Sequence, residues 1–193
     1  MNHSPARATP PGWSYNPSAW NERIWIAGLA VGGLAVSGYL ALYQLKVFDH
    51  VWEPWFGSGS ERVLHSFLSR LLPIPDAAVG AVAYALDAVT GLIGGQDRWR
   101  SMPWMVILFG VAVGPLGLVS VLLVIAQPVW LHAWCTLCLL SAAISLAMIG
   151  PAMDEVLASL QFLRRCFERE ESLWTAFWHG AEDPQRRHEA PAG

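Results

Sequence analysis

Charge is scarce in this chain. Of its 193 residues only 14% are Asp, Glu, Lys or Arg, against about a quarter in an ordinary soluble domain, and 54% are hydrophobic. With a mean hydropathy of +0.36, the sequence is too apolar for a soluble globule. The net charge of −3 provides no basic surplus to bind a nucleic-acid backbone. Cysteine is scarce too, and three of them cannot build the disulfide framework of a small secreted fold. Residues 1–18, rich in Pro, Ser and Asn, lack the apolar core and cleavage site of a removable leader. The first apolar run is therefore expected to serve as a retained membrane signal.

What the chain does contain is long apolar runs. Ile24 to about Leu45 is nearly uninterrupted, and similar runs cover about Ala77–Gly95, Pro103–Ala126 and Val129–Ile149. Each is long enough for the ~20 residues of a bilayer crossing. Pro73 and Pro75, the polar 96–100 segment, Pro128 and Pro151 punctuate them. The expected fold is all-α, an integral membrane four-helix bundle. Its parts are an N-terminal tail (1–22), a membrane domain (23–150), an amphipathic helix on the inner face (151–179) and a disordered polar tail (180–193).

Basic residues set the orientation. Lys46, Arg62 and Arg70 lie between the first two runs, offset by Asp49, Glu53, Glu61 and Asp76, and the other nine lie at the opposite end of the spans. The positive-inside rule then puts both termini in the cytoplasm and residues 46–75 outside. Most of the eleven tryptophans fall at span ends, including Trp20, Trp25, Trp52, Trp55, Trp99, Trp104, Trp130 and Trp134, as in an interfacial aromatic belt. Pairs of small residues four apart (Gly28/Gly32, Gly91/Gly95, Gly110/Gly114) offer close helix contacts.

Two shorter amphipathic segments accompany the runs. Ser60 to Leu72 places Val63, Leu64, Phe67, Leu68, Leu71 and Leu72 on one stripe, capped by Ser60 and stopped by Pro73. At roughly 18 Å it is too short to span, and it reads either as a lid over the bundle or as a plain surface helix. After Pro151, Val156, Leu157, Leu160, Leu163 and Phe167 recur at helical spacing opposite Arg164, Arg165 and Arg169, as in a helix lying on a membrane surface.

The chemistry-bearing stretch is Trp130 to Ser141, where Cys135 and Cys138 stand three residues apart near the outer end of the fourth run. A Cys-x-x-Cys pair is the smallest unit that cycles between dithiol and disulfide. Across i and i+3 of a regular helix the bond is awkward, because Cβ atoms about 5–6 Å apart must close to the ~3.8 Å a disulfide prefers. The pair reads as a redox centre at the membrane edge; two idle apolar residues, or two ligands of a metal, are the other readings. His132 is either a partner that lowers a thiol pKa or a hydrogen-bonded interfacial histidine. A metal site would need His132 with His50 or His65 beside the sulfurs. In the second run Asp76, Gly80, Tyr84 and Asp87 form one stripe. Asp87, near mid-membrane, must face the bundle interior, either as a proton donor or acceptor or as a hydrogen-bonded link between helices. Asp76 is either a polar group at the depth of the cysteines or a helix cap.

These features together resemble the vitamin K epoxide reductase family. The match rests on Trp134-Cys-Thr-Leu-Cys138 at the head of the fourth run, on Pro75 followed by Gly80-Ala-Val-Ala-Tyr84 at the start of the second, and on the order of spans from about Arg23 to Gly150. The resemblance implies a membrane thiol:quinone oxidoreductase with ubiquinone or menaquinone as substrate and no tightly bound cofactor. Cys135 would exchange with a soluble thioredoxin-like dithiol protein outside a bacterial cell membrane, and Cys138 would face the quinone. Asp76, Gly80, Tyr84 and Ser141 would contact the quinone, with Asp87 and His132 as a proton relay. Family members commonly carry a second cysteine pair in the first outer loop, whereas here residues 48–60 hold none. The chain is expected to belong to a bacterial branch without that shuttle, so a partner must meet Cys135 directly. The rival implication is a binding subunit that keeps the fold with idle cysteines.

Overall fold

The computed structural model describes residues 9–66 and 75–180, and every regular element among them is a helix. The order is α1 (Trp20–Gln44), α2 (Gly59–Leu64), α3 (Asp76–Leu92), α4 (Arg98–Ser101), α5 (Pro103–Ala126), α6 (Thr136–Glu168) and α7 (Leu173–His179), with a π-helical turn at Gln127–Leu131 between α5 and α6. Three stretches are long and apolar enough to cross a membrane, namely α1, α5 with the turn that follows it, and α6. α3 has 17 residues, the lower end of the range for a crossing.

Local chemistry sets the helix boundaries. Pro103 opens α5, where a missing N–H costs nothing. Pro75 precedes α3 and Asp76 is its first residue, so the carboxylate sits at the positive helix end without being the cap itself. Gly94, at φ 92°, supplies the left-handed turn that ends the second run after Leu92.

α1 packs chiefly on α3 and α6, and α5 on α6. Ile26, Ala30, Tyr84, Phe109, Val113, Met148 and Ala152 form the central core. Only 22% of the apolar window of α5 is buried inside, and Leu108, Val111, Leu118, Leu122 and Ile125 point outward. An apolar exterior of that extent belongs in lipid. Of the six glycines expected at helix contacts, Gly110 lies where a methyl would overlap Val156, while Gly28 and Gly114 face open space. Gly33 and Gly117 make contacts as tight as that of Gly110, against Tyr84 and Ile149.

Three expectations need correction. The fourth long helix starts at Thr136, not near Val129: after the π-helical turn His132 adopts φ 46° and the chain runs extended into Cys135. Pro151 does not end that helix. α6 runs on to Glu168, 33 residues in all, about 50 Å, because the turn after Pro151 is held by burial. The buried face there is Ala152, Glu155, Val156, Ala158 and Ser159, whereas Leu157, Leu160 and Phe167 are exposed. No separate surface helix begins at 151. In the first loop α2 covers Gly59–Leu64 and ends in a turn at His65 and Ser66; residues 67–72 of the expected 60–72 stripe lie outside the described residues, as do residues 181–193 of the expected disordered tail.

The two ends of the bundle are closed differently. At the terminal end residues 10–18 fold back on α6: Trp13 Nε1 donates to Gln161 Oε1 at 2.9 Å, Tyr15 Oη donates to Asp154 and Ser18 Oγ to Glu155. The hydrogen bond from Tyr15 to Asp154 pushes the tyrosine pKa up to about 12. Arg23 and Arg98, expected as flanking charges, are buried here. They donate to the carbonyls at the end of α3, with Arg23 Nε 2.9 Å from Gly91 O and Arg98 Nη1 2.7 Å from Thr90 O, which suits cations to the negative helix end. Trp99, expected in the aromatic belt, packs inside against Phe162.

Candidate functional site

The opposite end holds the cysteines. Cys135 and Cys138 are joined as a disulfide, with Cα atoms 5.2 Å apart. They are not two residues within a regular helix. Cys135 is the N-cap of α6, in extended conformation (φ −123°, ψ 112°), and its sulfur accepts the Cys138 N–H at 3.1 Å. Leaving the helix at the first cysteine removes the separation that a regular i, i+3 pair would impose, and it places Cys135 at the positive end of a helix, where a thiolate is favoured.

Three neighbours fix this N-cap. Gln127 Oε1, from the π-helical turn, accepts the Cys135 N–H at 3.0 Å. The first loop supplies Glu53, whose carboxylate accepts the Thr136 N–H at 3.0 Å and the hydroxyls of Thr136 and Ser60. Backbone N–H groups of Trp55 and Phe56 add contacts at 3.4 Å. Burial pushes the Glu53 carboxyl up, but the Ser60 and Thr136 hydroxyls and the Thr136 and Trp55 N–H groups outweigh it and hold the group below the usual glutamate range. Gly59 passes so close to the Trp134 carbonyl that no other residue would fit, and Phe56 lies against the Trp134 ring. The docked loop leaves Cys135 0% exposed among Leu40, Tyr43, Val51, Leu64 and Leu137. Cys138 is half-buried and packs beside this cluster.

One turn inward from Cys138 begins a set of hydroxyls. Tyr84, 1% exposed, has its Oη 2.7 Å from Ser141 O, 3.1 Å from Ser141 Oγ and 2.5 Å from Ser145 Oγ. Ser37 Oγ reaches Ser141 Oγ at 3.4 Å, and Ser120 Oγ donates to Ser145 Oγ at 3.3 Å. The set ties α1, α3, α5 and α6 together. Tyr84 and Ser141 are thus brought to one place below the second cysteine, though the Tyr84 hydroxyl is already engaged. Gly80 is a packing position, its Cβ direction occupied by Ser37. Asp76 stands nearer the loop, accepting from Gln44 Nε2 at 2.6 Å. Asp87 is 1% exposed and its Oδ2 has no hydrogen-bond partner among the described residues. His132 is exposed at the turn.

Among the described residues no group of three or more His, Cys, Asp or Glu side chains is arranged to hold an ion. His50 Nδ1 lies 3.5 Å from Glu61, and His65 Nδ1 meets the Glu61 carbonyl at 2.9 Å. Glu53 and Gln127 escaped the sequence reading. Both are polar side chains beside apolar runs, and neither falls in a motif with the cysteines.

The described residues thus make a helical protein with apolar, membrane-length helices and a Cys-x-x-Cys disulfide at a helix start. The model of the vitamin K epoxide reductase family matches residues 24–152, about two thirds of the sequence, and the chain belongs to that family. No curated protein matches it. Membership and apolar helices together indicate a membrane redox protein.

Proposed function

We propose that this protein is a membrane thiol:quinone oxidoreductase. A partner dithiol attacks the Cys135–Cys138 disulfide, forming a mixed disulfide that its second thiol resolves. The partner leaves oxidised and the pair gains two electrons and two protons. Cys138, on the bundle side, then passes the two electrons to a quinone, which takes two protons to become hydroquinone as the disulfide closes again. The observation that carries this reading is the disulfide at the N-terminus of an apolar helix, with the Tyr84 and Ser141 hydroxyls one turn inward from its second sulfur. A quinone headgroup offers two carbonyl acceptors, and hydroxyls at that depth suit them.

In this reading α3 is a fourth span, both termini are cytoplasmic, and the first loop with Cys135 faces the outside of a bacterial cell membrane. Asp76 and Gly80 line the approach to the quinone, and Asp87 and His132 handle protons. The electron source is a soluble thioredoxin-like protein, since the first loop carries no cysteine. Purified protein in detergent, given dithiothreitol and ubiquinone or menaquinone, is expected to form hydroquinone, and Cys135→Ser or Cys138→Ser to abolish this. Unchanged turnover in both variants would refute the proposal.

A further inference from the structure

The first loop, empty of cysteine, still docks on the redox motif, and it does so through a carboxylate. Glu53 accepts the N–H of Thr136, the first residue of α6 and the one between the cysteines' cap and its own turn, while Cys135 Sγ accepts the N–H of Cys138 two residues on. Two acceptors therefore share one helix end. The helix dipole there amounts to about half a unit charge spread over a single turn, and a full negative charge already sits on it.

We propose that Glu53 is a positioning residue for the redox pair: docked, it closes the loop over Cys135 and holds the Cys135 thiol in its protonated form, and its release frees the helix end for a thiolate. The proposal deepens the thiol:quinone reading and rests on it for its role in turnover. A docked Glu53 opposes each step in which Cys135 carries negative charge. These are its expulsion from the mixed disulfide by the partner's second thiol, and its attack on the Cys138 sulfur while that sulfur is bonded to the quinone, which forms the S–S bond, breaks the sulfur–quinone bond and releases hydroquinone as a proton is taken up. A partner that lifts the loop to reach Cys135 removes the opposing charge in the same movement, so Cys135 carries negative charge more readily while a partner is seated.

The other titratable groups at this end do not take that position. Glu61 on α2 is beside His50 at 3.5 Å, Asp76 on α3 accepts from Gln44, Tyr43 on α1 packs in the apolar cluster with Cys135, and His132 is exposed on the connection. Glu53 is held below the usual glutamate range, so it is charged at neutral pH. Its contacts also make the loop's hold specific: Ser60 on the loop and Thr136 on α6 donate to the same carboxylate.

The test is the pH profile of alkylation in the reduced full-length protein, with iodoacetamide as the probe, no quinone present, and each cysteine quantified by mass spectrometry. The midpoint, and not the plateau rate, is the readout, because loop opening alone changes access without moving the midpoint. Glu53→Gln keeps length and one acceptor oxygen but removes the charge, and is expected to lower the Cys135 midpoint by about one unit, a roughly tenfold gain in rate below it. Glu53→Asp keeps the charge and is expected to stay within a few tenths of the parent. Cys166, buried near the far end of α6, is the internal reference and should not move. Ser60→Ala, which removes one donor, should shift the midpoint the same way by less, and it serves if Glu53→Gln does not fold. A Cys135 midpoint unchanged or raised in Glu53→Gln and Ser60→Ala overturns the proposal. Loss of quinone reduction with the midpoint shift intact would instead count against the enzyme reading alone.

Discussion

Arg98 and Glu155 meet side-on inside the bundle: Nε and Nη2 of the guanidinium both donate to the carboxylate, and the two side chains are 1% and 0% exposed. Ser18 donates to the same carboxylate, and Arg98 also holds the last carbonyls of α3. Removing either partner leaves the other as an uncompensated buried charge. Glu155→Ala and Arg98→Ala are each expected to cost about 3–5 kcal/mol, read as a large fall in melting temperature in detergent. Replacing both with apolar residues of similar volume should cost much less than the sum of the two singles.

Tyr84→Phe keeps the ring and deletes the hydroxyl shared with Ser141 and Ser145. Leaving those groups short of a partner is expected to cost about 1–3 kcal/mol. If the hydroxyl also meets the quinone, KM for quinone should rise several-fold while reduction of the disulfide by dithiothreitol stays at the parent rate. Equal losses in both reactions would assign Tyr84 to packing alone.

Gly33 and Gly28 lie on the same helix but face different surroundings. A methyl at Gly33 overlaps the Tyr84 ring, and one at Gly28 meets nothing within 4 Å. Gly33→Ala is expected to destabilise by about 1–3 kcal/mol and to disturb the site through Tyr84. Gly28→Ala should be neutral or stabilising by up to about 1 kcal/mol. Thermal denaturation of the two variants side by side decides the point.

The Glu53 contact has a defined pH dependence. Its carboxyl titrates lower when docked than the ordinary value of 4.5, so the docked form binds its proton less readily than the undocked form. The contact therefore contributes fully above that ordinary value and is lost as pH falls through the lowered one. Hydrogen exchange at residues 55–60 should stay slow from neutrality down to pH about 5 and rise only in stronger acid. In Glu53→Gln that acid transition should vanish.

Asp87 is buried with an unpartnered oxygen, and Asn matches its shape. Asp87→Asn is expected to leave the melting temperature within a few degrees. A role in proton delivery predicts a several-fold slower quinone turnover with unchanged thiol exchange, measured by stopped-flow reduction of the disulfide.

Much of this was legible because hydropathy is a local property. The apolar run Pro103–Ala126 became α5 to the residue, that near Ile24–Leu45 became α1 with a start four residues earlier, and the cysteine spacing marked the pair that is joined as a disulfide. What could not be read depends on distant residues. Glu53 and Thr136 are 83 positions apart, and nothing beside Glu53 in the chain announces that it caps another helix. Arg23 and Arg98 look like flanking positive charges until the end of α3 is seen to need donors. Pro151 reads as a stop because a proline removes one hydrogen bond, and only the buried face formed by Ala152, Glu155 and Ser159 shows why the helix continues.

The uninterrupted course of α6 makes it the frame of the molecule. The same rod carries the sulfur pair at one tip and, beyond Pro151, the seat on which residues 13–18 are fastened, so the chain's first helix is tethered to it near both extremities. In the proposed exchange, a partner dithiol that uncovers Cys135 therefore works on the first loop and not on the helix pairs. The stretch from Leu45 to Ser66 meets the rod through the bonds around Glu53, the Phe56–Trp134 ring contact and the packing of Val51 and Leu64 beside Cys135, and it is this attachment that such a partner has to break.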